Sequence, residues 1–331
     1  MKKRIYIYSP SGAVRNKAAF RLGLRRLQAM GYEVEVDNAA LTSHQRFAGD
    51  DGTRLAAIER AAASGADVAL ISRGGYGLTR ILPGIAYKKV AKAIERGTQF
   101  VGMSDFTALQ LALLARTGAC TWAGPSLESF GDTGQADGSK RQGGAEDQGP
   151  DEIMQACFED LLLGQGEGTG WRQPKEKDAD IALAGAFHSR RLGDSAAFAV
   201  RDALLWGGNL SVLCTLVGTP YFHSVEAGIL FLEDVSEHPY RIERMLTQLL
   251  LAGVLGRQQA IVLGQFNNYR LVPHDRGFRL QSVVNWLRSQ VKVPVLTNLP
   301  FGHVPTKVLL PVGKRCDLEV AGRDVLLVWG D

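Results

Sequence analysis

The residues whose types and spacing can do chemistry begin with a serine at the end of an apolar run. In TQFVGMSDFTALQLALLARTG, Ser104 falls where a β-type run meets a helical pattern, with Asp105 and Thr107 in the first helical turn. A serine placed there lies close to unpaired backbone N–H groups, which suits an exposed nucleophile whose oxyanion is held by amides. It suits a helix-capping serine equally well. The G-x-S-x-G elbow of standard α/β-hydrolases needs glycine at 106, and this chain has Phe106. A second unusual loop, SRGGYGLTR at 72–80, carries Gly74, Gly75 and Gly77. It departs from G-x-G-x-x-G, because Arg80 stands three after Gly77, and no G-x-x-x-x-G-K-[ST] occurs, so phosphate binding is disfavoured. The loop is either a tight turn or the source of an N–H group facing Ser104.

Three further segments complete the set. Glu233 and Asp234 end the apolar run Ile229–Leu232, just before a helical pattern, where an ionised carboxylate needs a partner and can orient a histidine. Alternatively, Glu233 is a charge at a helix N-terminus. His303 in LPFGHVPTK follows a strand and lies in a loop beside Gly302. His44, His188, His223, His238 and His274 show no H-x-x-x-H spacing, so neither a metal hydrolase nor any cofactor is expected. WGGNLSVLCTLVGTPY, at 206–221, reads as a Gly-Gly-Asn turn opening an apolar helix, with Asn209 as its cap or as a substrate ligand.

The elements that must position these groups follow from periodicity. Strands are expected at Arg4–Tyr8, Tyr32–Val36, Ala66–Ser72 and Gln99–Met103, with helices at Lys17–Met30, Thr53–Ser64, Tyr87–Arg96 and Asp105–Arg116. Gly31, Gly65, Gly97 and Gly118 are the expected helix stops. Alternating strands and helices imply an α/β class with a parallel sheet, whose ligand site lies beyond the carboxyl ends of the strands, where Ser72 and Met103 stand. Residues 131–150 are polar, with six glycines in twenty, and read as a flexible insertion. A helix at Glu152–Leu163 and a polar stretch, Gly164–Asp178, follow. The expected domains are 1–164, a linker at 165–179, and 180–331. The last carries strands at Gly228–Val235, Ala260–Gln265, Val293–Asn298, Lys307–Val312 and Asp324–Trp329, and helices at Leu210–Leu216, Tyr240–Leu251 and Ser282–Ser289.

Composition excludes whole classes. At 331 residues, 45% apolar and 22% charged, the chain is long enough for about two globular domains and is neither fibrous nor disordered. Thirty-eight basic against 34 acidic residues leave only +4, without a basic block, so no nucleic-acid partner is expected. The N-terminal apolar stretch stops at Ser9 and Pro10, and no run approaches the roughly 18 residues of a membrane span, so a cytoplasmic protein without a membrane partner is expected. The four cysteines lie at least 37 residues apart and read as reduced, mostly buried thiols.

Taken in order, RGGYG at 73–77, GMSDFTAL at 102–109, GGNLS at 207–211, FLED at 231–234 and FGH at 301–303 resemble the LD-carboxypeptidase family. That family comprises the muramoyltetrapeptide carboxypeptidases and their microcin-immunity relatives. AGDDGTR at 48–54 also looks like the family's segment before the glycine loop. The resemblance implies Ser104 as nucleophile, His303 as general base and acid, and Glu233 as the group orienting His303. It maps an oxyanion hole to the N–H of Asp105 and of Gly75, or else Gly74. It also implies an N-terminal α/β domain, a smaller β-rich C-terminal α/β domain, a site in the cleft between them, and a homodimer. The implied reaction releases terminal D-Ala from murein tetrapeptides by cleaving the bond to an L-centre, in cytoplasmic peptidoglycan recycling. The alternative is a microcin-immunity-type hydrolase of aminoacyl-nucleotide bonds, with Trp122, Trp171 or Trp206 stacking on the base. A carboxypeptidase must bind a free carboxylate, and Arg73, Arg241 and Arg244 are candidates for it.

Overall fold

The computed structural model describes residues 2–132, 149–175 and 197–330. Most of the 131–150 insertion, His188 and the expected start of the C-terminal domain near Ile181 lie outside them. Two compact units divide the chain. Met1–Gly166 with Pro305–Leu310 form the first, and Glu167–Val304 with Pro311–Asp331 the second.

In the first unit, β1 (Arg4–Tyr8), α1 (Lys17–Ala29), β2 (Glu33–Val36), α2 (Asp51–Ala63), β3 (Val68–Ile71), α3 (Leu78–Ile81), α4 (Tyr87–Glu95), β4 (Gln99–Gly102), α5 (Thr107–Thr117) and β5 (Thr121–Ala123) follow in order, the expected strands and helices joined by the short, unanticipated α3 and β5. Asn16 caps α1 by accepting the N–H groups of Ala18 and Ala19, and Asp50 caps α2 by accepting that of Thr53. All four expected glycine stops have positive φ. The strands pair in parallel, in the order β5-β4-β3-β1-β2, and β11 (Leu310–Val312) extends the sheet beyond β5. All four residues of β3 are buried, as a central parallel strand requires, whereas the edge strand β2 is largely exposed. Burying each Val, Leu or Ile there contributes roughly 1.5–3 kcal/mol, enough to place the sheet at the core. Two more helices, α6 (Leu127–Gly131) and α7 (Glu152–Leu163), complete this unit; α7 has the expected limits.

The second unit is a seven-stranded mixed sheet in the order β10-β9-β8-β7-β12-β13-β6. Its strands are β6 (Gly168–Arg172), β7 (Ala197–Asn209), β8 (Ile229–Val235), β9 (Ala260–Asn267), β10 (Val295–Leu296), β12 (Arg315–Ala321) and β13 (Asp324–Val328). Helices α8 (Leu210–Leu216), α9 (Pro239–Leu251) and α10 (Leu280–Gln290) fall where periodicity puts them. The thirteen-residue β7 joins two kinds of sheet. Its first half pairs antiparallel with β12, and its buried second half pairs parallel with β8.

Three differences from the sequence reading have physical causes. The polar stretch expected as a linker contains β6, which runs antiparallel to β13 at the sheet edge, where solvent-facing residues weaken the hydrophobic signal. Gly207 and Gly208 are not a turn but the end of β7, opposite Phe231 and Leu232. Glycine is required there because a Cβ on Gly207 would run into the Phe231 carbonyl oxygen. Finally, β5 and β12 were not anticipated, β5 being only three residues long. Among the described residues, no helix is long and apolar enough to cross a membrane. Cys214 and Cys316 are buried, Cys120 and Cys157 half-buried, and all four are free thiols.

Candidate active site

Both groups of expected residues lie at carboxyl ends of strands, one group in each unit. In the first unit, Ser104 stands two residues beyond the end of β4 and opens a 3₁₀ turn into α5. Its φ is +64°, a left-handed conformation that costs a non-glycine residue roughly 1–2 kcal/mol. Its side chain caps neither the turn nor the helix, which removes the capping reading. Strain at an uncapped serine on a strand-to-helix junction is the geometry that presents a nucleophile.

The glycine loop packs against that serine. A Cβ on Gly74 would stand 2.7 Å from the Ser104 Cβ and 2.9 Å from its Oγ, so only glycine permits this approach. The Gly74 carbonyl accepts the Gly12 N–H at 3.2 Å, and the planar trans peptide therefore turns the Gly75 N–H away from Gly12. Neither that N–H nor the N–H of Asp105 has an acceptor among the described residues. Two unsatisfied donors beside a serine are what an oxyanion site needs.

The buried Asp105 side chain has a different task. It accepts the Leu78 N–H at 2.9 Å and so ties the serine turn to the glycine loop. Burial raises its pKa, while the hydrogen bond from the Leu78 N–H opposes the rise.

Arg54 is a site-building residue that residue-by-residue reading missed. Fully buried, it donates to the carbonyls of Gly77 at 2.7 Å and Pro10 at 3.3 Å, pairs with Asp51 at 2.6 Å, and lies 4.7 Å above the Phe47 ring. Its only signal in the sequence was the family-like AGDDGTR segment. Arg73 also serves the scaffold, donating to the Ala13 carbonyl at 3.0 Å and facing Glu128 at 3.4 Å.

In the second unit, Glu233 is fully buried near the end of β8. Its Oε2 lies 2.9 Å from Nδ1 of His303, and its Oε1 accepts from Nδ2 of Asn209 at 3.1 Å. A carboxylate on Nδ1 selects the tautomer in which Nε2 is the basic nitrogen. The pairing of β8 with β9 shifts register between Leu232 and Asp234, around Glu233. The His303 loop is fastened to β9: Gln265 donates its N–H to the Phe301 carbonyl at 2.8 Å, and Asn267 donates Nδ2 to the His303 carbonyl at 2.6 Å.

Asn209 is the N-cap of α8, accepting the Val212 N–H at 3.1 Å, and its Nδ2 bridges Glu233 to Asp234, 3.1 Å from each. Those bonds favour the capping reading over a substrate ligand. The Asp234 carboxyl is pushed up to about 6 by burial and then by the charge of Glu233, although the N–H groups of Val235 and Ser211 bond to it. A second histidine–carboxylate pair, His238 with Asp275 at 3.1 Å, was not anticipated. Its two members stand 37 positions apart in sequence.

Two expectations for substrate binding meet structural obstacles. Trp122, Trp171 and Trp206 are interior side chains, their indole N–H groups bonded to Gln99, Thr297 and Gln258. None of the three presents a face for stacking a base. Arg241 and Arg244 are exposed on α9, and Arg241 leans on the Tyr240 ring and faces Glu237.

Comparison with known proteins identifies the family. Residues 5–124 match the family model of the LD-carboxypeptidase N-terminal domain, and residues 202–318 that of the LD-carboxypeptidase C-terminal domain. A muramoyltetrapeptide carboxypeptidase from Oxalobacter formigenes is 34% identical, with 99% of each chain covered and a TM-score of 0.79. A murein tetrapeptide carboxypeptidase from Pseudomonas aeruginosa is 27% identical over 327 residues, 96% of this chain and 93% of that one. The microcin C7 self-immunity protein MccF shares the fold at 19% identity, with a TM-score of 0.79 over 99% of this chain and 96% of its own. The chain belongs to the LD-carboxypeptidase family and is a peptidase.

Proposed function

We propose that this protein is a serine carboxypeptidase that releases terminal D-Ala from murein tetrapeptides by hydrolysing the amide bond to the preceding L-centre. The observation that carries the reading is the buried Glu233 carboxylate held 2.9 Å from Nδ1 of His303. Names of similar proteins, a murein tetrapeptide and a muramoyltetrapeptide carboxypeptidase, supply the substrate class. In this reading His303 Nε2 takes the Ser104 hydroxyl proton as the oxygen attacks the amide carbonyl. Glu233 stabilises the imidazolium that forms without accepting the proton itself. The N–H groups of Gly75 and Asp105 hold the oxyanion, the protonated His303 gives its proton to the leaving amine of D-Ala, and water then releases the acyl group by the same route. Losing one oxyanion donor of this kind costs on the order of 10²–10³ in rate. The proposal extends to a homodimer working in cytoplasmic peptidoglycan recycling.

Mass spectrometry of a murein tetrapeptide incubated with wild type and with Ser104→Ala tests the reading. Loss of one D-Ala with the wild type alone is the expected result. Cleavage by neither sends the search to aminoacyl-nucleotide substrates, and equal cleavage by both overturns the serine mechanism.

A further inference from the structure

We infer that Arg46 and Tyr76 form a subsite for a carboxylate on the acyl side of the scissile bond; this rests on Ser104 being the nucleophile. Tyr76 is half exposed at the tip of the glycine loop, between Gly75 at φ +109° and Gly77 at φ +148°. Gly77 cannot be exchanged without disturbing its neighbours, since a Cβ there would meet Arg54 Nη1 at 2.5 Å and the Phe47 ring at 2.9 Å. The ring is thus presented outward by a backbone only glycine tolerates. It leans on Phe47 with centroids 5.9 Å apart, and the Arg46 guanidinium lies 5.6 Å from its centroid.

The charge balance singles Arg46 out from the other guanidiniums around this loop. Arg54 and Arg80 share Asp51 at 2.6 and 2.8 Å, and Arg73 faces Glu128 at 3.4 Å. Arg46 has no carboxylate partner among the described residues, and its guanidinium lies over the Tyr76 ring. Its backbone is held in place, because its carbonyl accepts the Ala13 N–H at 3.0 Å next to the Gly12–Gly74 bond, and the preceding Gln45 has φ +54°. A guanidinium over an aromatic face keeps its edge donors for a planar anion.

The reach admits a carboxylate on the acyl side. Gly74 touches Ser104, and Tyr76 stands two residues further on, at most about 7.6 Å along the backbone. A carbonyl held at Ser104 places carboxylates of its own residue and of the one before it roughly 6–10 Å away. The preferred substrate is therefore a peptide with an anionic group at one of those two acyl-side positions.

The test compares two murein tetrapeptides, one with its acyl-side carboxylates free and one with them amidated, using wild type, Arg46→Gln and Tyr76→Leu. Wild type is expected to favour the free acid roughly three- to tenfold in kcat/KM, the range of a partly exposed ion pair, through KM rather than kcat. Arg46→Gln is expected to bring that ratio close to one, and Tyr76→Leu to lower it part of the way. Equal turnover of both peptides by wild type, or a ratio unchanged in Arg46→Gln, overturns the subsite and leaves the serine mechanism standing. Hydrolysis of neither peptide overturns the mechanism, and the subsite with it.

Discussion

Asn209 and Glu233 face each other across the parallel β7–β8 pair, and Nδ2 of Asn209 donates to Oε1 of Glu233 at 3.1 Å, so that Oε2 is turned to His303. One amide therefore caps a helix with its oxygen and orients a buried carboxylate with its nitrogen. Asn209→Ala is expected to cost about 1–2 kcal/mol from the lost cap and to lower kcat at least tenfold. Thermal unfolding read beside steady-state kinetics checks both effects. A variant that loses stability but keeps full turnover would separate the cap from the site.

The left-handed Ser104 predicts a trade between stability and activity. Ser104→Gly relieves the strain that Ser104→Ala retains, so the glycine variant should be more stable than the alanine variant by about 1 kcal/mol. Both should be inactive. Denaturant titration of the two purified variants reads the difference directly.

Gly74→Ala should damage catalysis more than folding. The added Cβ at 2.7 Å from the Ser104 Cβ displaces the serine or the loop, and a displacement near 1 Å costs on the order of 10² in rate. Kinetics with a tetrapeptide, alongside unfolding curves, gives the answer; unchanged turnover would mean that the loop does not position Ser104.

Asp234 links stability to pH with a definite sign. Its carboxyl, raised to about 6 by burial and the Glu233 charge, prefers its proton in the folded state more than in the unfolded state. Its contribution is therefore fully present below about pH 4 and is lost as pH rises through 6. The stability of wild type relative to Asp234→Asn should fall by about 3 kcal/mol between pH 4 and pH 7, at 1.36 kcal/mol per unit. Paired chemical denaturation at several pH values measures it, and a flat difference would refute the assignment.

Tyr8 predicts a substitution without cost. Its hydroxyl is fully buried and has no hydrogen-bond partner among the described residues, and burial holds its proton on well above the usual tyrosine range. Leaving such a group unsatisfied costs about 1–3 kcal/mol, so Tyr8→Phe should match or exceed the wild-type melting temperature. A fall of several degrees in calorimetry would show that the hydroxyl is bonded in solution.

Much of the architecture was legible in the sequence because it is local. Most helices of both units follow a 3.6-residue period, several of them with polar caps or glycine stops, and the parallel strands are short apolar runs. Strands β6 and β7 escaped that reading. The first is a polar edge, and the second ends in Gly207 and Gly208, which local rules read as a turn but which stand in a strand where β8 presses close.

The sequence by itself singled out the candidates for the chemistry: Ser104 beside a strand end, Glu233 closing an apolar run, His303 after Gly302, and a loop of glycines. Their types and flanking patterns are properties of adjacent positions. Tertiary structure decided what each one touches. Glu233 and His303 meet across 70 positions, Arg54 reaches 23 positions to the Gly77 carbonyl, and Asp105 holds Leu78 from 27 away. Such contacts depend on strand order and register, which are set by burial summed over a whole sheet rather than by any one segment. The same summation makes Asn209 a bridge between two carboxylates and Trp206 a core side chain, roles that no run of neighbouring residues announces.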